Sequence, residues 1–215
     1  MKMIGIAGAI GVGKSSVAHA LVSDAALARD LAGALHYFNA DDALREARNQ
    51  AGPLRDAILK LLPAAQNPNG SIDQAALASA AFSDPALLKQ LELLQWPVAR
   101  AAMHAAREQA VASGASLLIV EAIALLSSGL VEELDGYLVL TLPTAERRER
   151  VIGRGMSGAA FEQRDSAQRG LTEALLAAGG VEVNARGSVQ EVAAEAGRAL
   201  RLLCSTDEPH PDRAI

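Results

Sequence analysis

Residues Gly8-Ala9-Ile10-Gly11-Val12-Gly13-Lys14-Ser15 form a GxxxxGK[ST] phosphate loop, and few folds can carry one. Met3-Ile4-Gly5-Ile6-Ala7 before it is an apolar run long enough for one buried strand, and Ser16 to Val22 after it has apolar residues at helical spacing. The motif needs that strand–loop–helix setting. Its glycines let successive backbone N–H groups turn inward on phosphate oxygens, and the helix N-terminus adds unpaired N–H groups and partial positive charge. In this reading Ala9, Ile10, Gly11, Val12, Gly13, Lys14, Ser15 and Ser16 hold a nucleoside triphosphate. The amides of residues 10–16 and the Lys14 ammonium meet phosphates, and the Ser15 hydroxyl holds Mg²⁺. A glycine-rich turn of this form arises by chance on the order of once in a hundred chains of this length. The flanking strand and helix make chance rarer still.

Composition narrows what surrounds the loop. At 215 residues the chain is long enough for one well-buried core with an inserted or appended subdomain. Half the residues are hydrophobic but only 3% are aromatic, and alanine is abundant, which favours a helix-rich α/β protein. A net charge of −5 without a basic block gives nucleic acid nothing to bind, so the partner is expected to be a small molecule. Cys204 is the only cysteine, which excludes an internal disulfide and a cysteine-based zinc site, and His19, His36, His104 and His210 lack metal-ligand spacing. The N-terminal apolar run belongs to the phosphate loop rather than to a leader, and no run approaches the ~18 apolar residues of a membrane span. A soluble, cytoplasmic protein, monomeric or weakly self-associating, is expected.

Four more strands are legible. Ala34 to Phe38 ends in Asn39-Ala40-Asp41-Asp42, polar residues at the strand edge where open α/β sheets place ligands. Helical patterns then cover 42–50, 54–62, 73–81 and 85–112, with Pro97 expected to kink or interrupt the last. Some seventy helical residues between strands read as an insertion over an acceptor site, about residues 43–112, in a core of 1–42 and 113–203. Ser116 to Val120 is an apolar strand that ends on Glu121. That carboxylate either supports Mg²⁺ in the manner of a Walker B acid or faces solvent at a strand end. Gly136 to Leu142 and Val181 to Val183 complete a five-stranded parallel sheet, the three-layer α/β/α fold of P-loop proteins.

Arg147, Arg150 and Arg154 recur at i, i+3 and i+7 on one helix face. Such a stripe is either a solvated face or, beside a phosphate loop, a set of guanidinium groups for a transferring phosphoryl group. Arg150 and Arg154 are assigned the second role; Arg147 fits either. Gly153 to Gly158 leads into a helix expected over about 160–177, and a lid is placed at about 154–168. Ser188, with Glu191 three residues on, reads as a capping box for a closing helix over 189–203, and 204–215 as a flexible tail.

In this order the pieces resemble the dephospho-CoA kinase family over roughly residues 3–203. The phosphate loop is similar to that family's, its Asp-Ala-Asp with a following Arg stands as Asn39-Ala40-Asp41 and Arg45, and its Asp-Gly-x-Leu-Asp as Asn69 to Asp73, with Phe82 after it. Leu91-Glu92 and Trp96-Pro97 match a Leu-Glu-x-x-x-His-Pro segment, Pro143 and the three arginines keep the family's spacing, and Gln168 and Asn184 match its Gln and Asn. The resemblance implies a magnesium-dependent kinase that transfers the ATP γ-phosphate to the ribose 3′-hydroxyl of dephospho-CoA, with Asn184 and Gly187 on the adenine side. Five departures are legible: Asn39 for Asp, Trp96 for His, Glu121-Ala122-Ile123-Ala124 near the place of the family's Pro-Leu-Leu-Phe-Glu strand end, Leu171 and Ala174 for an arginine pair, and Gly179-Gly180 for Asp-Asp.

The expected mechanism is in-line transfer, with Lys14 on the phosphates and Asp41 orienting the acceptor hydroxyl and taking its proton. Arg154 stabilises the transition state, Ser15 and Glu121 serve Mg²⁺, and Arg45 and Trp96 line the acceptor pocket, although Trp96 equally suits a packing anchor. A regulatory GTPase would need an Asn-Lys-x-Asp motif, which is absent. A kinase for another nucleoside or nucleotide acceptor, and a nucleotide-binding protein that has lost kinase activity, remain as alternatives.

Overall fold

The apolar runs 2–7, 115–121 and 136–141 become central strands, each buried on both faces as a parallel sheet between two helical layers requires, while 34–39 and 181–184 form less buried strands. The computed structural model describes residues 1–205; residues 206–215, most of the expected flexible tail, and the side chain of Phe82 lie outside the described part. Strands β1 (Lys2–Ala7), β2 (Ala34–Asn39), β3 (Ala115–Glu121), β4 (Gly136–Thr141) and β5 (Val181–Asn184) form one five-stranded sheet in the order β2-β3-β1-β4-β5. All strands are parallel and helices cover both sides, as expected of a P-loop α/β fold. In the register of the central pairs, Ile6 faces Glu121 of β3 and Ala7 faces Val139 of β4. The acidic end of β3 therefore comes level with Ile6, two residues ahead of the phosphate loop.

Ten α-helices are described: α1 (Lys14–Val22), α2 (Ala25–Asp30), α3 (Ala40–Asn49), α4 (Pro53–Leu61), α5 (Gln74–Ser83), α6 (Pro85–Ala112), α7 (Thr144–Ile152), α8 (Gly158–Ala167), α9 (Leu171–Ala177) and α10 (Val189–Ser205). Their starts follow local chemistry. The side-chain oxygens of Asp24, Asp73 and Ser157 each accept a backbone N–H of the first turn. The capping box of α10 is complete: the Ser188 N–H donates to Glu191 Oε2 at 2.8 Å, and the Glu191 N–H donates to Ser188 Oγ at 3.3 Å.

The described residues divide into two compact units, residues 1–38 with 107–205, and residues 39–106. The core of the first is built from Ile4, Ile6, Leu117, Ile119, Leu138, Leu140 and Val183 of the sheet against Val17 and Leu21 of α1 and Val192 and Leu200 of α10. The second is helical, with Leu54, Ile58, Ile72, Leu77 and Leu91 in its own core. Within it the Asn69–Asp73 segment has a structural role: Gly70 closes a turn onto Asn67, Ile72 enters the core, and Asp73 caps α5.

Two helix expectations change. The single helix over 160–177 is two, because Gly170 takes φ 78° and lets the chain turn between α8 and α9. Pro97 does not interrupt α6, which runs through it. The proline removes one amide, and Leu93, whose carbonyl would have accepted that bond, is 61% exposed, so water can take its place.

Candidate functional site at the phosphate loop

The loop is held open by its own glycines. Gly11 has φ 82°, and a Cβ there would lie 2.6 Å from the Arg147 carbonyl oxygen, so only glycine fits. Gly13, also left-handed, precedes α1 without capping it by a side chain. The first helical hydrogen bond runs from the Val17 N–H to the Gly13 carbonyl, which leaves the first-turn N–H groups before it without a helical acceptor. Two amides counted for phosphate in the sequence are already engaged: the Ile10 N–H donates to Gln168 Oε1 at 2.7 Å and the Val12 N–H to the Ala9 carbonyl at 3.2 Å.

Lys14 is buried, and its Nζ donates to the Gly8 carbonyl at 2.9 Å. Ser15 Oγ donates to Glu121 Oε1 at 3.0 Å, and Tyr37 of β2 donates from its hydroxyl to Oε2 of the same carboxylate at 2.6 Å. Glu121 is 5% exposed, so of its two sequence readings the solvent-facing one fails. Among the described residues no group of three or more His, Cys, Asp or Glu could hold a metal. A hydroxyl beside one carboxylate nevertheless suits Mg²⁺, which keeps several waters and takes its remaining oxygens from bound phosphates.

The arginine stripe divides by depth. Arg147 is 7% exposed; it donates to the Leu142 and Ile10 carbonyls at 3.0 Å each and pairs with Asp165 of α8 at 2.6 Å. Its guanidinium also lies 5.9 Å from the Phe161 ring centroid. Of its two sequence readings, neither a solvated face nor a phosphate contact fits, since its donors are spent on protein. Arg150 bridges the Val12 carbonyl at 3.1 Å and the Ala185 carbonyl at 2.8 Å, tying the phosphate loop to the segment after β5. Arg154 is exposed and lines a cleft of about 280 Å³ with Gly11, Gly13, Lys14, Ser15 and Glu121.

Arg164 of α8 lines that same cleft, and the sequence reading missed it. Neither guanidinium has a partner among the described residues. The signal for Arg164 was absent because its place depends on how α8 folds back onto α7, which no local spacing encodes. A second cleft of about 260 Å³ continues along Gly13, Ser16, Arg150 and Arg154 to Gly187 and Val189. Gly187 thus joins the phosphate loop in one trough. Asn184 does not: it lines a separate cleft with Glu182 and Arg186, and its Oδ1 accepts the Arg186 N–H at 3.0 Å. The Glu191 carboxyl beside Gly187 is held below the usual carboxylate range, chiefly by the Ser188 backbone N–H.

The acceptor-side candidates belong to the helical unit. Asn39 caps α3, its Oδ1 accepting the N–H groups of Asp41 and Asp42 at 2.9 and 3.1 Å. Asn caps as well as Asp, which gives the departure at this position a structural reason. Arg45 is exposed and pairs with Asp42 at 2.8 Å. Trp96 is half-buried, outside the packed cluster of Ile58 and Leu91. Arg48, whose pKa is lowered by burial while Asp41 opposes that, donates to Gln74 at 3.1 Å and to Gln95. It stays charged, as arginine does.

The sequence model of the dephospho-CoA kinase family matches residues 2–190. A dephospho-CoA kinase of Anaeromyxobacter dehalogenans is 31% identical over 202 residues, covering 93% of this chain and 91% of its own length. One from Symbiobacterium thermophilum is 28% identical over 213 residues, covering 98% and 85%. A Thermus thermophilus crystal structure, 30% identical, superposes with a TM-score of 0.72 over 93% of this chain and 95% of its own. The Campylobacter jejuni dephospho-CoA kinase, 17% identical with a TM-score of 0.59, covers 93% of this chain and 97% of its own and shares the fold.

Proposed function

The chain belongs to the dephospho-CoA kinase family, and from that membership we propose how its own residues phosphorylate dephospho-CoA in coenzyme A biosynthesis. One observation carries the reading: Lys14, Ser15, Glu121, Arg154 and Arg164 line one cleft around the phosphate loop. That is three cations, one hydroxyl and one carboxylate, the donor set that a triphosphate with a divalent cation calls for.

The ATP phosphates lie on the amides of Gly11, Gly13, Lys14, Ser15 and Ser16, a narrower set than the sequence suggested because Ile10 and Val12 bond within the protein and Ala9 lines the cleft of Asn184 instead. Lys14 brings its charge to the β- and γ-phosphates. Ser15, positioned by Glu121, would hold Mg²⁺, which would supply neutralisation of phosphate charge. Arg154 and Arg164 stabilise the equatorial oxygens in the transition state. The adenosine end runs along the trough from Arg150 to Gly187. Asp41 is the group that orients the acceptor hydroxyl and takes its proton late, and Arg45 and Trp96 are its acceptor-side companions. The helical stretch is taken as the acceptor-binding insertion and the α7–α8 connection as the lid. A cytoplasmic site and a monomeric or weakly associating chain belong to the same proposal; among the described residues no helix is long and apolar enough to cross a membrane.

Asn39 and the missing arginine pair argue in the sequence for a protein that has lost activity. The cap role of Asn39 and the presence of Arg164 in the cleft answer both points. The test is ADP release from Mg-ATP with dephospho-CoA and a panel of nucleosides and nucleotides as acceptors. Stimulation by dephospho-CoA, a 3′-phosphorylated product, and loss in Lys14→Ala are expected. Nucleotide binding without acceptor-dependent turnover would overturn the reading. Full kcat in Asp41→Asn would remove the base assignment alone.

A further inference from the structure

We infer that Tyr37 is a positioning residue for the Glu121–Ser15 pair and thereby sets how strongly nucleotide binding depends on the divalent cation. The inference rests on the reading of Ser15 and Glu121 as the magnesium side of the site. Glu121 sits at the C-terminal end of β3, and Tyr37 near that of β2, the neighbouring strand in the sheet. The two oxygens of this buried carboxylate divide their hydroxyl donors. Oε2 takes the Tyr37 hydroxyl at 2.6 Å, and Oε1 takes Ser15 Oγ at 3.0 Å. A hydroxyl bonded to a carboxylate at that distance is a strong, charge-assisted contact, and it costs the carboxylate its freedom to turn.

The ring of Tyr37 is held as well. It packs against the core of the sheet unit and meets His19 of α1 edge-on, with centroids 4.7 Å apart and planes at 65°. α1 is the helix that begins at the phosphate loop, so the tyrosine is braced by the same element that carries Ser15. With Oε2 fixed from outside, Oε1 is directed at the Ser15 hydroxyl, and the Ser15 hydrogen is turned toward Glu121. A lone pair on Oγ is then left for a cation. This is the outer-shell arrangement by which a hydrogen bond orients the group that meets the metal, and losing such a partner commonly costs about 10-fold or more in metal affinity.

The test is nucleotide binding, read by calorimetry with ATP in excess Mg²⁺ and in excess EDTA, on wild type, Tyr37→Phe and Glu121→Gln. Tyr37→Phe keeps the ring and its packing and removes only the donor. The expected result is a wild-type gain in affinity from Mg²⁺ that shrinks about 10-fold in Tyr37→Phe, with metal-free affinity unchanged. In the double variant with Glu121→Gln the phenylalanine should add no further loss. An undiminished Mg²⁺ gain in Tyr37→Phe would overturn the positioning role and leave the Ser15–Glu121 reading standing. Equal wild-type affinity with and without Mg²⁺ would overturn that reading and this inference with it. Competition by Mn²⁺, followed by its free-ion resonance, gives the same comparison without catalysis.

Discussion

The Ile10 amide in the middle of the phosphate loop donates to Gln168 Oε1 at 2.7 Å, and the Ile10 carbonyl accepts from Arg147 at 3.0 Å. Both backbone groups of one loop residue are thus held by the segment from α7 to the end of α8, which also carries Arg154 and Arg164. The shape of the loop and the placement of these arginines are coupled through that residue.

Gln168→Ala should therefore weaken ATP binding without touching a phosphate contact. Leaving a partly buried N–H without its acceptor costs about 1–3 kcal/mol, so Kd for ATP should rise roughly 10-fold. Calorimetric titration measures it; an unchanged Kd would show that the loop keeps its shape unaided.

Arg147→Met should act on stability. The arginine is 9% and Asp165 23% exposed at the side chain, so truncation leaves a largely buried carboxylate and two carbonyls unpaired. A loss of about 3 kcal/mol in urea unfolding is expected. A loss below about 1 kcal/mol would mean that water or Arg148 replaces the guanidinium readily.

The three remaining arginines should separate in kinetics. Arg154→Ala and Arg164→Ala should each lower kcat about 10²- to 10³-fold with a smaller change in KM, as for groups that meet charge mainly in the transition state. Arg150→Ala should instead raise KM for ATP, because its bonds to Val12 and Ala185 shape the trough. Equal effects of all three on KM alone would assign them to ground-state binding.

The α10 cap should titrate. Glu191 has a folded pKa below its ordinary value of 4.5, because two bonds from Ser188 favour its charged form. A depressed carboxyl stabilises the fold fully above the unfolded value and loses that contribution as pH falls through the folded one. Glu191→Gln can still accept a bond but does not ionise. The stability gap between wild type and variant should therefore be present at neutral pH and close in acid below about pH 4.5. Unfolding midpoints across that range check it, and a gap independent of pH would contradict the assignment.

How much could be read in advance differs from segment to segment. The strand ending at Glu121, the Ser188–Glu191 cap and the other apolar runs were legible because each rests on neighbours in sequence: a short continuous apolar run or a three-residue cap. The break at Gly170 was missed because a helical pattern on both sides conceals a single left-handed residue. The interruption at Pro97 fails for the opposite reason, since an exposed turn lets a helix run through a proline.

The phosphate loop, the sheet and the family resemblance all depend on residue type and spacing along the chain. Tertiary structure alone decided which groups meet. It set Glu121 between Ser15 and Tyr37, spent Arg147 on carbonyls, exposed Arg154, brought in Arg164 and turned Asn184 away. Those outcomes depend on the register of parallel strands and on the packing of α8 against α7, contacts between residues far apart in sequence, and no local pattern records them.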